Sequence, residues 1–257
     1  MTALPETTGR LLHVVPEQAR GAAAPPDLEI VIPAYNEAGR LPRTLAATVD
    51  YLAGRPWRSR IVVVDNGSCD ATARIAQLFA RSGGPVAVSV IGCARPGKGA
   101  AVRRGLLRTT ARHVGFLDAD LATPLETLDA ARVHLEAGAT AVIASRHVRG
   151  ARLVRAQPWS RRVGGAVFRQ LTRPHVPGVR DTQCGFKFFQ RDAVTRALAQ
   201  CRTTGFAFDV ELLSRILADG GSIVELPVAW TDDPATTFRP LHDGAASFAA
   251  LLALRRD

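Results

Sequence analysis

No run of apolar residues in this 257-residue chain approaches the roughly 20 that a membrane-spanning helix requires. Leu11 to Val15 is also too short for the apolar core of a secretion signal, so a soluble or peripheral protein is expected. Cysteine is scarce: Cys69, Cys93, Cys184 and Cys201 are scattered without C-x-x-C spacing. That argues against a zinc site or a disulfide framework, and for free thiols in a reducing cytosol. Aromatics make up only 6% and no nucleic-acid recognition motif is present, so no nucleic-acid partner is expected. Acid is the most unevenly missing property. From Ala137 through Arg180 there is no Asp or Glu, yet the stretch holds nine arginines: 146, 149, 152, 155, 161, 162, 169, 173 and 180. Such a run is ordinarily a solvated face. The alternative is an arginine-lined groove for an anionic acceptor beside anionic lipid headgroups, each exposed residue contributing about 1 kcal/mol at low salt.

What is present suits one large α/β domain. The hydrophobic content is 47%, and the formal charge of +10, carried mostly by arginine, favours partners that bear phosphate. Residues Met1 to Asp27 are rich in Ala, Pro and Gly without a sustained period and are expected to form a mobile arm. Leu28 to Ile32 is a short apolar strand that runs into Pro33-Ala34-Tyr35-Asn36-Glu37, ahead of a helical pattern through Leu41, Leu45, Val49 and Leu52. Arg60 to Val64 repeats the design and ends in Asp65-Asn66-Gly67-Ser68, with Asp70 placed to cap the next helix. Two such units in succession predict a parallel sheet with right-handed crossovers. Further strands are expected at Val86 to Ile91, Thr140 to Ser145 and Ser222 to Val228, and further helices at about 100–110, 191–198 and from Phe206. Between the third strand and its helix, Arg95-Pro96-Gly97-Lys98-Gly99 lacks the G-x-x-x-x-G-K-[S/T] pattern, yet its glycines let backbone approach a ligand and Lys98 offers a point charge. In the C-terminal piece Leu241, Ala245, Phe248 and Leu252 share a helical face suited to core packing, or else to a membrane interface.

The stretch HVGFLDADLAT, His113 to Thr123, is the chemical centre of this plan. A buried strand over Val114 to Leu117 delivers Asp118 and Asp120 at its carboxyl end, where open α/β sheets hold ligands. Residues two apart on a strand share a face, so both carboxylates can address one hard cation, Mg2+ or Mn2+, that also takes phosphate oxygens. The plainer reading is a strand end turning into a helix, with an Asp or Thr123 as a cap before Pro124.

In order along the chain, IPAYNE, VVDNGS, GKGAAVRRG, DADLATP, ASR, DTQCGFKFF and FAFDVELL resemble the family 2 glycosyltransferases of the GT-A fold, and within them the dolichyl- or polyprenyl-phosphate glucosyltransferases. The resemblance runs from about Leu28 to Leu254. It implies a single Rossmann-like α/β domain over 28–257, with a mostly parallel central sheet flanked by helices. It also implies an inverting transfer of a sugar, glucose from UDP-glucose, to a polyprenyl phosphate. By the same resemblance Pro33, Tyr35 and Glu37 line the uridine and ribose pocket and Asp65 meets the base. Lys98 sits near the nucleotide, and Asp118 approaches ribose or metal. Asp120 binds the metal that bridges the diphosphate. Arg146 and Arg161 contact the acceptor phosphate. Gln183, Cys184 and Gly185 wall the donor sugar, with Asp209 and Glu211 nearby. The implied setting is cytoplasmic and peripheral, at the inner face of the membrane.

Two departures stand out. Trp230 is followed by Thr231 to Phe238 in place of the family's Gly-Ser-Lys segment, and Ala122 replaces a metal-ligating side chain that mannosyl relatives carry. Two other readings remain open: a hydroxyl-bearing small molecule or glycan as acceptor, with Asp209 as the base, and a nucleotide-sugar-binding protein that does not turn over.

Overall fold

The β-branched runs pair as strands, and the order in which they pair decides where a ligand can sit. The computed structural model describes residues 25–154 and 159–231, with backbone alone at 159–163. The expected arm before Pro25, Arg155, the side chain of Arg161, residues 232–238 and the C-terminal apolar face lie outside the described residues. Seven strands form the main sheet: β1 (Leu28–Ala34), β2 (Ser59–Asp65), β3 (Ala87–Gly92), β4 (His113–Leu117), β5 (Ala141–Ser145), β7 (Phe186–Gln190) and β8 (Ile223–Pro227). A two-stranded ribbon joins β6 (Arg152–Leu153) to β9 (Ala229–Trp230). The helices are α1 (Leu41–Ala53), α2 (Thr72–Ser82), α3 (Lys98–Leu106), α4 (Thr127–Glu136), α5 (Trp159–Thr172), α6 (Arg191–Gln200) and α7 (Phe208–Ala218).

The order across the sheet is β3-β2-β1-β4-β7-β5-β8. The chain builds outward from β1 to β3 and then returns to lay β4 on the other side of β1. A crevice therefore opens between the carboxyl ends of β1 and β4, the topological switch point at which open α/β sheets bind ligands. Both faces of the sheet are covered, which is why the strands read as continuous apolar runs. Val31, Phe116, Ile143 and Phe189 pack on one face with Val102, Val194 and Val210 of α3, α6 and α7. Ile30, Ile32, Val142 and Phe188 pack on the other with Leu41, Ala76 and Leu128 of α1, α2 and α4.

Three elements differ from the sequence-based expectation. Asp181 to Phe189 carries no alternating pattern, because β7 is buried on both faces, yet Phe186–Gln190 is a strand antiparallel to both β4 and β5. The arginine-rich segment includes the 14-residue helix α5. Its wide polar face hid the helical period. The helix expected from about Ala100 begins at Lys98, because Gly97 turns the chain with φ 114°, a conformation open to glycine.

One buried charge braces the middle of this frame. Glu29 in β1 is fully buried; its carboxylate accepts the backbone N–H groups of Thr110 and Ala111 and pairs with Arg60 of β2. It thus ties the entry to β4 to strands β1 and β2. Glu29→Ala leaves the buried Ala111 N–H, the Thr110 N–H and Arg60 without their acceptor, and is expected to lower unfolding stability by about 3–5 kcal/mol in urea titration. A loss under about 1 kcal/mol would show that water replaces the carboxylate there.

Candidate active site

The crevice is lined by four loops that hold one another through backbone and side-chain contacts. After β1, Asn36 adopts a left-handed backbone with φ 54°. Its N–H donates to Ser68 Oγ (3.0 Å), and its Oδ1 accepts the Cys69 N–H (2.9 Å). Glu37 N–H donates to Thr72 Oγ1 (2.7 Å) and Ala38 N–H to Asp70 Oδ2 (3.1 Å). Asp70, expected as a helix cap, accepts the Thr72 N–H at the start of α2 (2.9 Å) and with its other oxygen clips the loops after β1 and β2 together. Asn66 extends the chain of contacts: its Nδ2 donates to the carbonyls of Cys93 and Arg95, and its Oδ1 accepts the Gly97 N–H (2.9 Å). The loops after β1, β2 and β3 are therefore one unit.

At the back of this unit lies Asp65, the last residue of β2. Its Oδ1 is buried and has no hydrogen-bond donor. A buried acceptor left unpaired costs about 1–3 kcal/mol, a cost that a ligand N–H would remove. Tyr35 is 52% exposed at the mouth, and Pro33 lies beneath it in β1. Glu37 does not stand free. Arg40 clamps it through Nε (2.6 Å) and Nη2 (2.7 Å), while burial, with Asp120 and Asp118 behind it, pushes its carboxyl pKa up.

Asp118 and Asp120 follow β4. Lys98 Nζ lies 2.7 Å from Asp118 Oδ1 and 2.9 Å from Oδ2, so Asp118 is charge-neutralised by the first residue of α3. Burial opposes the Lys98 charge, but Asp118, with Asp209 and Asp120 further off, more than offsets it and holds the ammonium above its ordinary range. Asp120 is different. Its Oδ1 accepts the Ala122 N–H (3.0 Å), and burial together with Asp118 raises its pKa. No ion pair joins it to any described residue, which sets it apart from Asp118. The turn it sits in is strained, with Leu121 at φ 53°. Among the described residues no group of three or more His, Cys, Asp and Glu side chains is placed to hold a metal. The donor set here is the carboxylate pair itself, which fits a hard cation that keeps water and phosphate oxygens in its other positions.

The reversed direction of β7 completes the site, because its beginning lies where the parallel strands end. Gly185 O accepts the Asp118 N–H (2.8 Å). A β-carbon at Gly185 would collide with the Asp118 carboxylate, so only glycine fits beside the Lys98–Asp118 pair. The neighbouring Cys184 is a buried thiol 3.6 Å from Thr123 Oγ1, with its pKa pushed up to about 11 by burial and by Asp181. A thiol held in this way is not a nucleophile. Gln183 reaches from this turn toward the Phe206 carbonyl (3.4 Å).

Arg146, just past β5, is occupied. Its Nε and Nη2 grip the buried Asp181 at 2.7 and 2.8 Å, its own N–H adds a third bond at 2.9 Å, and its guanidinium lies over Trp230. Arg146 holds the Asp181 carboxyl far below the usual range despite burial, and Asp181 in turn raises Arg146. Nη1 is the end that Asp181 does not take. In α7, Glu211 accepts the N–H groups of Arg202 and Thr203 and so anchors the loop before the helix, whereas Asp209 faces Lys187. The structure thus brings Glu37, Lys98, Asp118, Asp120, Gly185 and Asp209 toward one crevice and gives Glu211 a bracing role.

Sequence reading missed Lys187, Asn66 and Glu225. Glu225 in β8 accepts the N–H groups of Arg180 and Asp181 (both 2.9 Å) and so holds the start of the turn. A signal for the first was available: Lys98 and Lys187 are the only lysines in the chain.

A mostly parallel sheet with a carboxylate pair at its switch point, closed by an antiparallel strand, is the layout of GT-A glycosyltransferases. The chain belongs to glycosyl transferase family 2, whose sequence model matches residues 29–200. It is 31% identical over 236 residues to the dolichyl-phosphate beta-glucosyltransferase of Homo sapiens, a match covering 80% of this chain and 67% of that protein. With the Drosophila melanogaster protein of the same name it shares 33% identity over 229 residues, covering 83% and 70%. The chain therefore spans about two thirds of the length of the curated relatives it matches. Among solved structures it superposes on glucosyl-3-phosphoglycerate synthase from Mycobacterium tuberculosis, crystallised with Mn2+, UDP-glucose and phosphoglyceric acid. The TM-score is 0.62 at 23% identity, over 89% of this chain and 79% of that one.

Gly185→Ala tests the packing of this edge. The β-carbon must push Asp118 away from Lys98, and a displacement of that size in a reacting site costs about 100-fold in rate. Transfer activity should fall by that order while the melting temperature changes little. Wild-type activity in the alanine variant would show that the Asp118 carboxylate is free to move.

Proposed function

We propose that this glycosyltransferase moves glucose from UDP-glucose to a polyprenyl or dolichyl phosphate, inverting the anomeric centre, at an anionic membrane surface on the cytoplasmic side. The observation that carries this reading is the charge pattern of the crevice. Asp118 is neutralised by Lys98, Asp120 has no ion-pair partner among the described residues, and an orphaned buried acceptor waits at Asp65. A diphosphate with its bridging cation fits the first two, and a base N–H fits the third. The names of the curated relatives support the glucosyl donor and the lipid phosphate, as does the match to DTQCGFK. Among the described residues no helix is long and apolar enough to cross a membrane, and exposed arginines such as Arg149 and Arg152 suit a surface of anionic headgroups.

On this reading Tyr35 and Pro33 border the nucleoside, and Asp65 accepts from the base. Mg2+ or Mn2+, held by Asp120 with Asp118, would offset the charge that collects on the departing diphosphate. Lys98 adds a fixed positive charge at the same place, already oriented by Asp118. The turn of Gln183, Cys184 and Gly185 borders the sugar. Arg146 presents its Nη1 end to the acceptor, and Arg161 is assigned to the same phosphate. A phosphate oxygen is ionised at neutral pH, so transfer needs alignment and charge compensation more than proton removal. With a hydroxyl acceptor, Asp209 is the base.

Asp120→Ala is expected to abolish transfer, and excess chelator should do the same to the wild type; full activity in chelator removes the metal role. Because burial and Asp118 raise Asp120, the apparent affinity for Mn2+ should weaken on acidification from above the ordinary carboxylate pKa of about 4, as the cation must displace a proton. Calorimetry should show UDP binding tighter than GDP, and the reverse order would overturn the donor assignment.

Arg146→Ala is a poor probe of the acceptor, since it leaves the buried Asp181 without its partner at a cost of about 3–5 kcal/mol. Arg146→Lys keeps a charge but loses the two-pronged contact. It should fold, bind UDP as the wild type does, and show a raised KM for polyprenyl phosphate. An unchanged KM would point to a hydroxyl acceptor.

A further inference from the structure

We infer that Lys187 is a positioning residue for the transfer step, acting through Asp209: it fixes that carboxylate at the carboxyl edge of the sheet beside Lys98. The inference rests on the reading above and puts Asp209 at the reacting site, as a fixed charge that aligns the reacting groups when the acceptor is a phosphate and as the base when it is a hydroxyl. Lys187 sits in the second position of β7, is wholly shielded from solvent, and shares a strand face with Phe189 of the apolar core. A lysine in such a place must satisfy its ammonium locally. Its Nζ donates to the Cys184 carbonyl (2.6 Å), lies 2.7 Å from Asp209 Oδ1, and rests 5.3 Å from the ring centroid of Phe116.

Those three partners belong to the turn that walls the crevice, the first turn of α7, and the strand that ends just before Asp118. One ammonium therefore sets the spacing of three elements that converge on the site. Lys98 lies over the same phenyl ring, at 5.8 Å, and Asp209 is among the charges that raise it. The two lysine ammonium groups thus share the Phe116 ring.

The details suit a working carboxylate better than a structural one. Asp209 Oδ1 is held by the Lys187 ammonium at 2.7 Å, with no backbone amide of the described residues donating to it. Glu211, two residues along the same helix, is instead consumed by the 202–203 amides. Apolar residues would fill the Lys187–Asp209 space without desolvating two charges, and such replacements are often neutral or stabilising. The pair is explained if the site requires an Asp209 carboxylate that cannot swing away.

A double-mutant cycle on kcat separates positioning from packing. Lys187→Met should lower kcat about 100-fold, as expected when a proton-handling or charge-aligning group is lost, with the UDP-glucose KM nearly unchanged. Asp209→Asn should cost at least as much, and Lys187→Met/Asp209→Asn should be no slower than Asp209→Asn alone. The double variant buries no unpaired charge, so it keeps the comparison available if Lys187→Met fails to fold. An equal further loss when Lys187→Met is added to the Asp209→Asn variant would make Lys187 merely structural and overturn the inference, as would wild-type kcat in Lys187→Met or in Asp209→Asn. The cycle is read on transfer to polyprenyl phosphate and on acceptor-independent UDP release. A wild type that releases UDP but glucosylates no polyprenyl phosphate sinks the acceptor assignment alone, while the cycle still reports on Lys187.

Discussion

A carboxylate taken out of water without a partner carries a penalty of several kcal/mol, and this chain places three aspartates close enough to act on the Lys98 ammonium: Asp118, Asp209 and Asp120. Two of them are matched one to one by Lys98 and Lys187. The third has no such match among the described residues, and this imbalance governs the rest of the site. On the proposed reading the crevice would be a poor host for a bare diphosphate and a good one for a diphosphate that arrives with a divalent cation, since the cation would turn a residual negative charge into a positive one. Donor binding and metal binding would then be a single event, with Lys98 already oriented by Asp118 before either arrives.

That arrangement depends on the direction of one strand. A parallel strand in the place of β7 would bring its far end, Gln190, to the crevice, and the turn of residues 181–185 would lie at the opposite edge of the sheet. Because β7 runs antiparallel to β4 and β5, the Gly185 carbonyl meets the Asp118 amide and Lys187 is delivered beneath Asp209. The same turn is held from behind by Glu225, and through Asp181 it holds Arg146. Side chains assigned to the acceptor and to the donor sugar are thereby joined through a single pair of carboxylates, so a disturbance at Glu225 or Asp181 is transmitted to both.

The sequence made the first half of the sheet legible for a physical reason: β1, β2 and β4 are short apolar runs that end in polar residues, and a strand buried on both faces in a parallel sheet reads that way. Asp65, Lys98, Asp118 and Asp120 sit at or just beyond the places where such runs stop. What stayed hidden was of another kind. Strand β7 has a lysine among phenylalanines, and its direction is set by partners more than 40 residues away in the sequence. Helix α5 is masked by its own charge. Arg146 reads as a free cation until the fold places Asp181 against it, because nothing in the spacing of the two residues announces a 35-residue contact. Glu211 reads as a second acid of the site, and tertiary structure alone shows it spent on the amides of residues 202 and 203.

The two lysines follow from the same chemistry. Among the 33 basic side chains of Lys and Arg, Lys98 and Lys187 alone are ammonium groups. A guanidinium is planar and carries five donors that must all be satisfied when buried, which suits the bidentate grip of Arg146 on Asp181 and the broad basic surface of residues 146–180. Around Phe116 there is room for a compact charge with few donors, placed between one carboxylate oxygen, one carbonyl and the face of a ring. An arginine at either position would need acceptors that the neighbouring strands, with their amides and carbonyls already paired in the sheet, do not supply. In a chain that otherwise uses arginine for its fixed positive charges, lysine stands only where the positive charge must be small.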